Sequence, residues 1–221
     1  MRIRATFGLV LTGALISSLN AAPVRFEVSR SDSFIAVRTD KSGFLSFLGH
    51  KHGIVATEWS ASICADPDQL TSAKIGITIP TASLRIDTSD AKQKVGLPVD
   101  GGPGADKIGE LQAKMLNAAN LAASEHSTIK FESASVEAKG TDSYIVSGSL
   151  DVRGTKTPVR ANVKVQRKGQ QHQFDGQFDV KQSAFGISPE SIAGVVNVKD
   201  EVRVLFRFVA APGPGGCSSN P

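Results

Sequence analysis

The 221 residues predict an all-β chain, an antiparallel β-barrel with one helix over about 105–121 packed on it. Three observations carry this reading. Apolar and polar residues alternate with period two from Arg25 onward, hairpin-sized turn sequences join the alternating runs, and the interval 87–127 replaces the alternation with a loop and a helical stripe. One-sided alternation belongs to antiparallel strands with one buried and one wet face, whereas a covered parallel sheet reads as continuous apolar runs. Eight or more such strands either close into a barrel or stack as a sandwich, and closure leaves no unpaired edge.

At the start of the chain, Arg2 and Arg4 precede an apolar run from Phe7 to Ile16 and small residues at Asn20-Ala21-Ala22. This reads as a secretory signal peptide over 1–22. The run is too short to span a bilayer and no cysteine follows it, so no stable membrane anchor is expected. The expected location is the periplasm, with secretion beyond it as the second choice. Without the two leader arginines the formal charge falls from +4 to +2, and the basic residues are scattered rather than gathered with aromatics, so nucleic acid is not an expected partner.

Strands are expected near 25–30, 33–39, 54–64, 73–79, 82–87, 128–137, 143–153, 157–168, 171–182 and 200–209. Parity turns Ile77, Phe131, Leu150, Val163, Phe178 and Phe206 toward the interior. Asp66-Pro67-Asp68, Lys139-Gly140-Thr141-Asp142, Arg153-Gly154-Thr155-Lys156 and Lys168-Gly169 supply the turns. Val95 to Gly104 is a loop by composition. From Ala105 to Leu121, Ile108, Leu111, Met115 and Leu116 form one stripe, and Asp106 favours the helix N-terminus. The barrel domain is placed at 23–210. The Pro/Gly/Ser-rich residues 211–221 have nothing apolar to bury and are expected to form a disordered tail. A barrel of eight strands is wide enough to be filled by side chains or to hold one small ligand.

The segment Gly43 to Trp59 brings apolar bulk, glycines and two imidazoles together. Phe44, Phe47 and Leu48 suggest a short apolar turn across the mouth of a sheet. His50 and His52 stand two apart, so in extended backbone both rings leave one face and reach one ion or one head group. The same residues also read as a packed corner with two solvated histidines. The chain has no His-Glu-x-x-His, Gly-x-Ser-x-Gly, Cys-x-x-Cys or phosphate-binding glycine loop, so an enzyme is not expected. His126 reads as a surface histidine, and His172 shares parity with Phe174 and is expected to be partly buried. In the strand 54–64, Val55, Trp59 and Ile63 take the apolar face and Cys64 the wet one with Glu58, Ser60 and Ser62. Its pairing with Cys217 and two free thiols are both compatible with the sequence.

The stretch Ser147-Gly-Ser-Leu-Asp-Val-Arg-Gly-Thr-Lys-Thr-Pro-Val159 resembles the YceI-like family of exported bacterial proteins. Ile129-Lys-Phe-Glu-Ser133, Ser183-Ala-Phe-Gly-Ile187 and Val198-Lys-Asp-Glu-Val202 resemble further motifs of that family in the right order, covering about Phe26 to Ala210. Leu48-Gly-His-Lys-His52 resembles a Leu-Gly-His-x-His variant found in part of the family, accompanied by a Glu-x-x-x-x-Met helix, here Glu110 to Met115. The resemblance implies a lipocalin-like barrel that binds, stores or transports an isoprenoid, quinone-type or other amphipathic lipid chain, and it implies no cofactor. Phe44, Phe47 and Leu48 near the mouth, Ile77, Phe131 and Phe178 along the wall, and His50 and His52 at the polar end are the expected ligand-binding residues. A homodimer is compatible with this reading. The alternatives are a metal-binding protein or metal-dependent enzyme built on His50 and His52, and a filled barrel that binds another protein.

Overall fold

A computed structural model describes residues 22–42, 50–100, 102–189, 191–192 and 196–217. The expected signal peptide, 1–22, lies outside them apart from Ala22. In chain order the first elements are β1 (Val24–Ser42), β2 (His52–Ala56), β3 (Ser60–Asp66), β4 (Gln69–Pro80), β5 (Leu84–Ile86), α1 (Ser89–Lys94) and α2 (Ala105–Leu116). They are followed by β6 (Thr128–Ala138), β7 (Ser143–Val152), β8 (Thr155–Lys168), β9 (Gln171–Lys181), β10 (Ser191–Ile192) and β11 (Val196–Gly216). Eight strands run in the order β1-β3-β4-β6-β7-β8-β9-β11, and β11 returns to pair with β1. Every pairing is antiparallel and the β11–β1 pairing closes the barrel predicted from the alternation. In β8 the alternation is complete: Val159, Ala161, Val163 and Val165 are buried and the residues between them exposed.

Turn chemistry sets the registers. Arg153 and Gly154 both have positive φ, 54° and 72°, the pair of left-handed conformations of a two-residue type I′ hairpin between Val152 and Thr155. At Asp66-Pro67-Asp68-Gln69 the Asp66 carboxylate accepts the Asp68 N–H at 2.9 Å and closes an Asx turn. On the outer face Arg203 donates to both carboxylate oxygens of Asp179 across β11 and β9, at 2.7 and 2.9 Å. That guanidinium holds the Asp179 carboxyl below the usual carboxylate range.

The sequence reading needs correction in four places. The strands expected at 25–30 and 33–39 are one strand, β1, with a bulge. Ser29 pairs with Val209 and Phe34 with Arg207, so four residues of β1 face one of β11, and the Ser33 hydroxyl accepts the Val209 N–H left without a carbonyl, at 2.9 Å. The strand expected at 54–64 is two, because β1 takes β3 as neighbour at Val24–Phe26 and β2 at Ala36–Thr39. The chain crosses between these positions at 57–59, where Thr57 donates to the Ser83 carbonyl through both its N–H and its hydroxyl. Parity changes there: Ile54 and Ala56 turn inward, while Val55 shares the outer face with Gly53.

The helix expected to reach residue 121 ends at Leu116, because the Asn117 side chain accepts the N–H groups of Ala119 and Asn120 and substitutes a local turn for the next helical one. The tail expected to be disordered from 211 continues instead as strand to Gly216. Its partner is the start of β1, with Phe26 opposite Pro212 and Val24 opposite Gly216. Main-chain pairing needs no apolar side chains, and β9 has already ended opposite Ala210, so the prolines sit on a free edge where a missing N–H is tolerated. Cys217, the next residue, is bonded to Cys64 on the outer side of β3.

Candidate functional site: an apolar bore with a polar mouth

Inward positions of the eight strands line a cavity of about 710 Å³ that runs the length of the barrel. This lies within the range of about 300–1,000 Å³ typical of small-molecule sites. All six positions assigned inward by parity, Ile77, Phe131, Leu150, Val163, Phe178 and Phe206, line it. Two glycines make room for the aromatics. A Cβ on Gly176 would lie 2.1 Å from Cζ of Phe206, and one on Gly148 would lie 2.6 Å from the Phe131 ring, so the far edge of each ring occupies the space that a side chain on the neighbouring strand would take. The bore owes its width there to the absence of two methyl groups.

One end is sealed. Phe26, His172 and Phe174 pack as an aromatic plug: the His172 ring stacks on Phe174 with centroids 5.9 Å apart and meets Phe26 edge-on at 5.4 Å. Leu70, Tyr144 and Val165 close the floor around it. His172 is buried, at 4% exposure, and its Nδ1–H donates to the Gln170 carbonyl at 3.1 Å. Burial holds its pKa below the ordinary 6.5, against the opposing pull of that carbonyl, and Arg167 adds to the lowering.

The other end is polar and is framed by pieces that lie outside the eight strands. β2 pairs with β1 on one side and β5 on the other, and among the described residues β5 has no further strand beside it. The Gln112 side chain of α2 takes that place: its Oε1 accepts the Ile86 N–H at 3.0 Å and its Nε2 donates to the Leu84 carbonyl at 2.9 Å. A side-chain amide thus continues the ladder and holds α2 across the mouth, where Glu110, Leu111, Lys114 and Met115 line the cavity. On the outer side α1 packs against β2 so closely that a Cβ on Gly53 would lie 2.8 Å from the Ala91 carbonyl oxygen.

His50 and His52 both line the cavity at this mouth. His50 is exposed, just before β2; His52 lies within β2, and its Nδ1 is 2.6 Å from Oδ2 of Asp87. The Asp87 side chain is 1% exposed, and its other oxygen accepts the Gly53 N–H at 3.0 Å. The backbone there is left-handed, φ +53°, a conformation that Asp and Asn tolerate better than other non-glycine residues. Among the described residues no three His, Cys, Asp or Glu side chains are grouped to hold a metal ion.

The structure therefore brings together Ile77, Phe131, Phe178, His50 and His52 around one cavity, while Phe44, Phe47 and Leu48 lie outside the described residues. Sequence reasoning missed Asp87, Gln112 and the two glycines beneath the rings. For Gly148 and Gly176 a signal was present, a glycine at an inward strand position. For Asp87, 35 residues from His52, the sequence held none.

Fold and site define a closed antiparallel barrel with an apolar bore open at one polar end. The model of the YceI-like domain matches residues 26–210, and the chain belongs to the YceI-like family. Among solved structures the chain is similar to BcnA of Burkholderia cenocepacia, with TM-score 0.64 and 20% identity over 84% of this chain and 100% of that one. It is also similar to the YceI protein of Campylobacter jejuni, with TM-score 0.56 and 14% identity over 72% of this chain and 84% of that one. A mutant of the Campylobacter protein was crystallised with monobromobimane as guest. At these identities the likeness is one of fold. The comparison with curated proteins finds no match.

Proposed function

We propose that the protein binds a long apolar chain, an isoprenoid, quinone-type or other amphipathic lipid, inside the barrel, and stores or carries it in the periplasm. The tail lies in the bore toward the Phe26 plug and the head rests at the mouth beside His50 and His52. The observation that carries this reading is the distribution of polarity: among the described residues the charged side chains that line the cavity stand at the mouth, while the bore is walled by apolar side chains down to Tyr144 on the floor. Burial of the chain supplies affinity at about 0.8 kcal/mol per CH₂, and a few polar groups suffice to orient the head. The leader-like residues 1–22 support export. A metal-centred function has less support, because Asp87 already occupies Nδ1 of His52 and among the described residues no third ligand stands near.

The test is native mass spectrometry, with lipid extraction, of the protein made in its own host and purified from the periplasm. One molecule of a long-chain lipid per barrel is the expected result. Protein with no co-purifying lipid, which also fails to take up prenyl alcohols in solution, would reject the proposal.

A further inference from the structure

We propose that His52, held by Asp87, is a hydrogen-bond acceptor that selects hydroxyl-headed chains, such as prenols, prenylphenols and quinols, over carbonyl-headed chains of the same length. The inference rests on the lipid-binding reading above and adds the chemistry of the head group to it.

The buried Asp87 carboxylate has acceptor oxygens only, and both are engaged: Oδ1 takes the Gly53 N–H and Oδ2 faces His52 Nδ1 at 2.6 Å. Nδ1 must therefore carry the proton that fills this bond. In the neutral ring the other nitrogen, Nε2, is then bare and presents a lone pair. Among the described residues Nε2 has no hydrogen-bond partner, while the ring lines the cavity and its side chain is only 15% exposed. The main chain of His52 is fixed as well, with its N–H on the Thr39 hydroxyl at 3.3 Å. An incoming hydroxyl donates to this lone pair. A carbonyl brings a second acceptor to it, and both atoms are left without a partner where water is scarce. The remaining polar lining of the mouth is Thr39, His50, Asn120 and Gln182 together with three residues of α2; Lys107 and Glu110 pair with each other at 2.5 Å, Lys114 is also engaged, and Asn120 and Gln182 donate to the Lys114 and Lys199 carbonyls.

Asp87 is a positioning residue, and its replacement by asparagine makes a specific alternative. Asparagine tolerates the left-handed backbone at this position. The Gly53 N–H still requires an acceptor, so the introduced amide must turn its carbonyl oxygen to Gly53 and its NH₂ to His52. His52 then accepts at Nδ1, carries its proton at Nε2, and becomes a donor toward the ligand.

The test measures dissociation constants of farnesylacetone and of the secondary alcohol made by reducing it, two probes with the same carbon skeleton. Three proteins are compared: the wild type, Asp87→Asn, and Asp87→Asn with His52→Phe, the last leaving no buried carboxylate without a partner. The alcohol-over-ketone preference of the wild type is expected to exceed that of the double variant by about tenfold, and that of Asp87→Asn to fall below the double variant. In parallel, ¹⁵N NMR of the wild-type imidazole with the alcohol bound is expected to show the proton on Nδ1, a readout independent of whether the variants fold. Equal preference in all three proteins, or a proton on Nε2 in the wild type, would overturn the inference while leaving lipid binding intact. Failure of the wild type to bind either probe would overturn both.

Discussion

At the sealed end of the barrel the strands themselves do the closing; at the mouth the closure is assembled from parts that the eight strands do not contain. The floor is made of Phe26, Leu70, Tyr144, His172 and Phe174, all at the ends of barrel strands, and the disulfide between Cys64 and Cys217 fastens β11 to β3 across the beginning of β1. The mouth is made of a short strand β5, one side-chain amide bridging it to α2, and a histidine set by a carboxylate 35 residues away. The contrast shows how one chain separates stability from access. Long registers with buried side chains resist opening, whereas an edge held by two side-chain hydrogen bonds opens at low free energy.

The largest expected effect comes from breaking the fastened end. Replacing both cysteines by serine removes a cross-link between residues 153 apart in sequence and is expected to lower unfolding free energy by about 3–5 kcal/mol in urea titration. Affinity for a prenyl alcohol, measured well below the unfolding transition, should change little, since the bond lies on the outer wall. Loss of affinity without loss of stability would mean that the seam governs access after all.

Next in size is a change to the bore between the two ends. Gly176→Ala places a methyl group 2.1 Å from the unperturbed position of Phe206 Cζ, so the ring must swing and the bore narrows. Affinity for long chains is expected to fall about tenfold, with about 1–3 kcal/mol of lost stability from the strain. Unchanged affinity would place the ligand elsewhere.

The plug should also be visible in the pH dependence of stability. The pKa of His172 is depressed in the folded state, so as pH falls through its ordinary value of 6.5 the unfolded chain takes up a proton that the folded chain refuses. Stability is therefore lost progressively below that pH, until the lower folded-state value is passed. Comparing wild type and His172→Phe by urea titration across this window should show a slope in the former that is reduced in the latter; equal slopes would remove His172 from the account.

The smallest effect belongs to the mouth. Gln112→Ala is expected to speed amide hydrogen exchange at Ile86 severalfold and to cost about 1 kcal/mol or less of global stability. A large global loss would mean that α2 is part of the core and not a cover.

The same contrast governs how much could be read from the residues alone. Alternation fixes which side chains face inward wherever a strand keeps one partner, and for this reason parity places Ile77, Phe131 and Phe178 on the cavity wall. Where a strand changes partner, parity breaks without leaving a mark in composition, as between Ala56 and Ser60. The strand from Ala211 to Gly216 leaves no pattern in the sequence because backbone pairing, not side-chain burial, orders it. His50 and His52 stand out as imidazoles, but what His52 can do depends on Asp87, and that contact follows from a left-handed residue between β5 and α1. Resemblance to family motifs identified the barrel; it did not supply this partner.

The claim that joins both ends is that a chain enters at the mouth and extends until the plug stops it. Its most direct measurement is the dissociation constant of a homologous series of linear alcohols of increasing length. Affinity is expected to rise by about fourfold per added methylene, the equivalent of about 0.8 kcal/mol, and then to level off abruptly at the length at which the tail meets Phe26 and His172. A dependence that is flat from the shortest member, or that rises without a limit, would contradict a bore open at one end and sealed at the other.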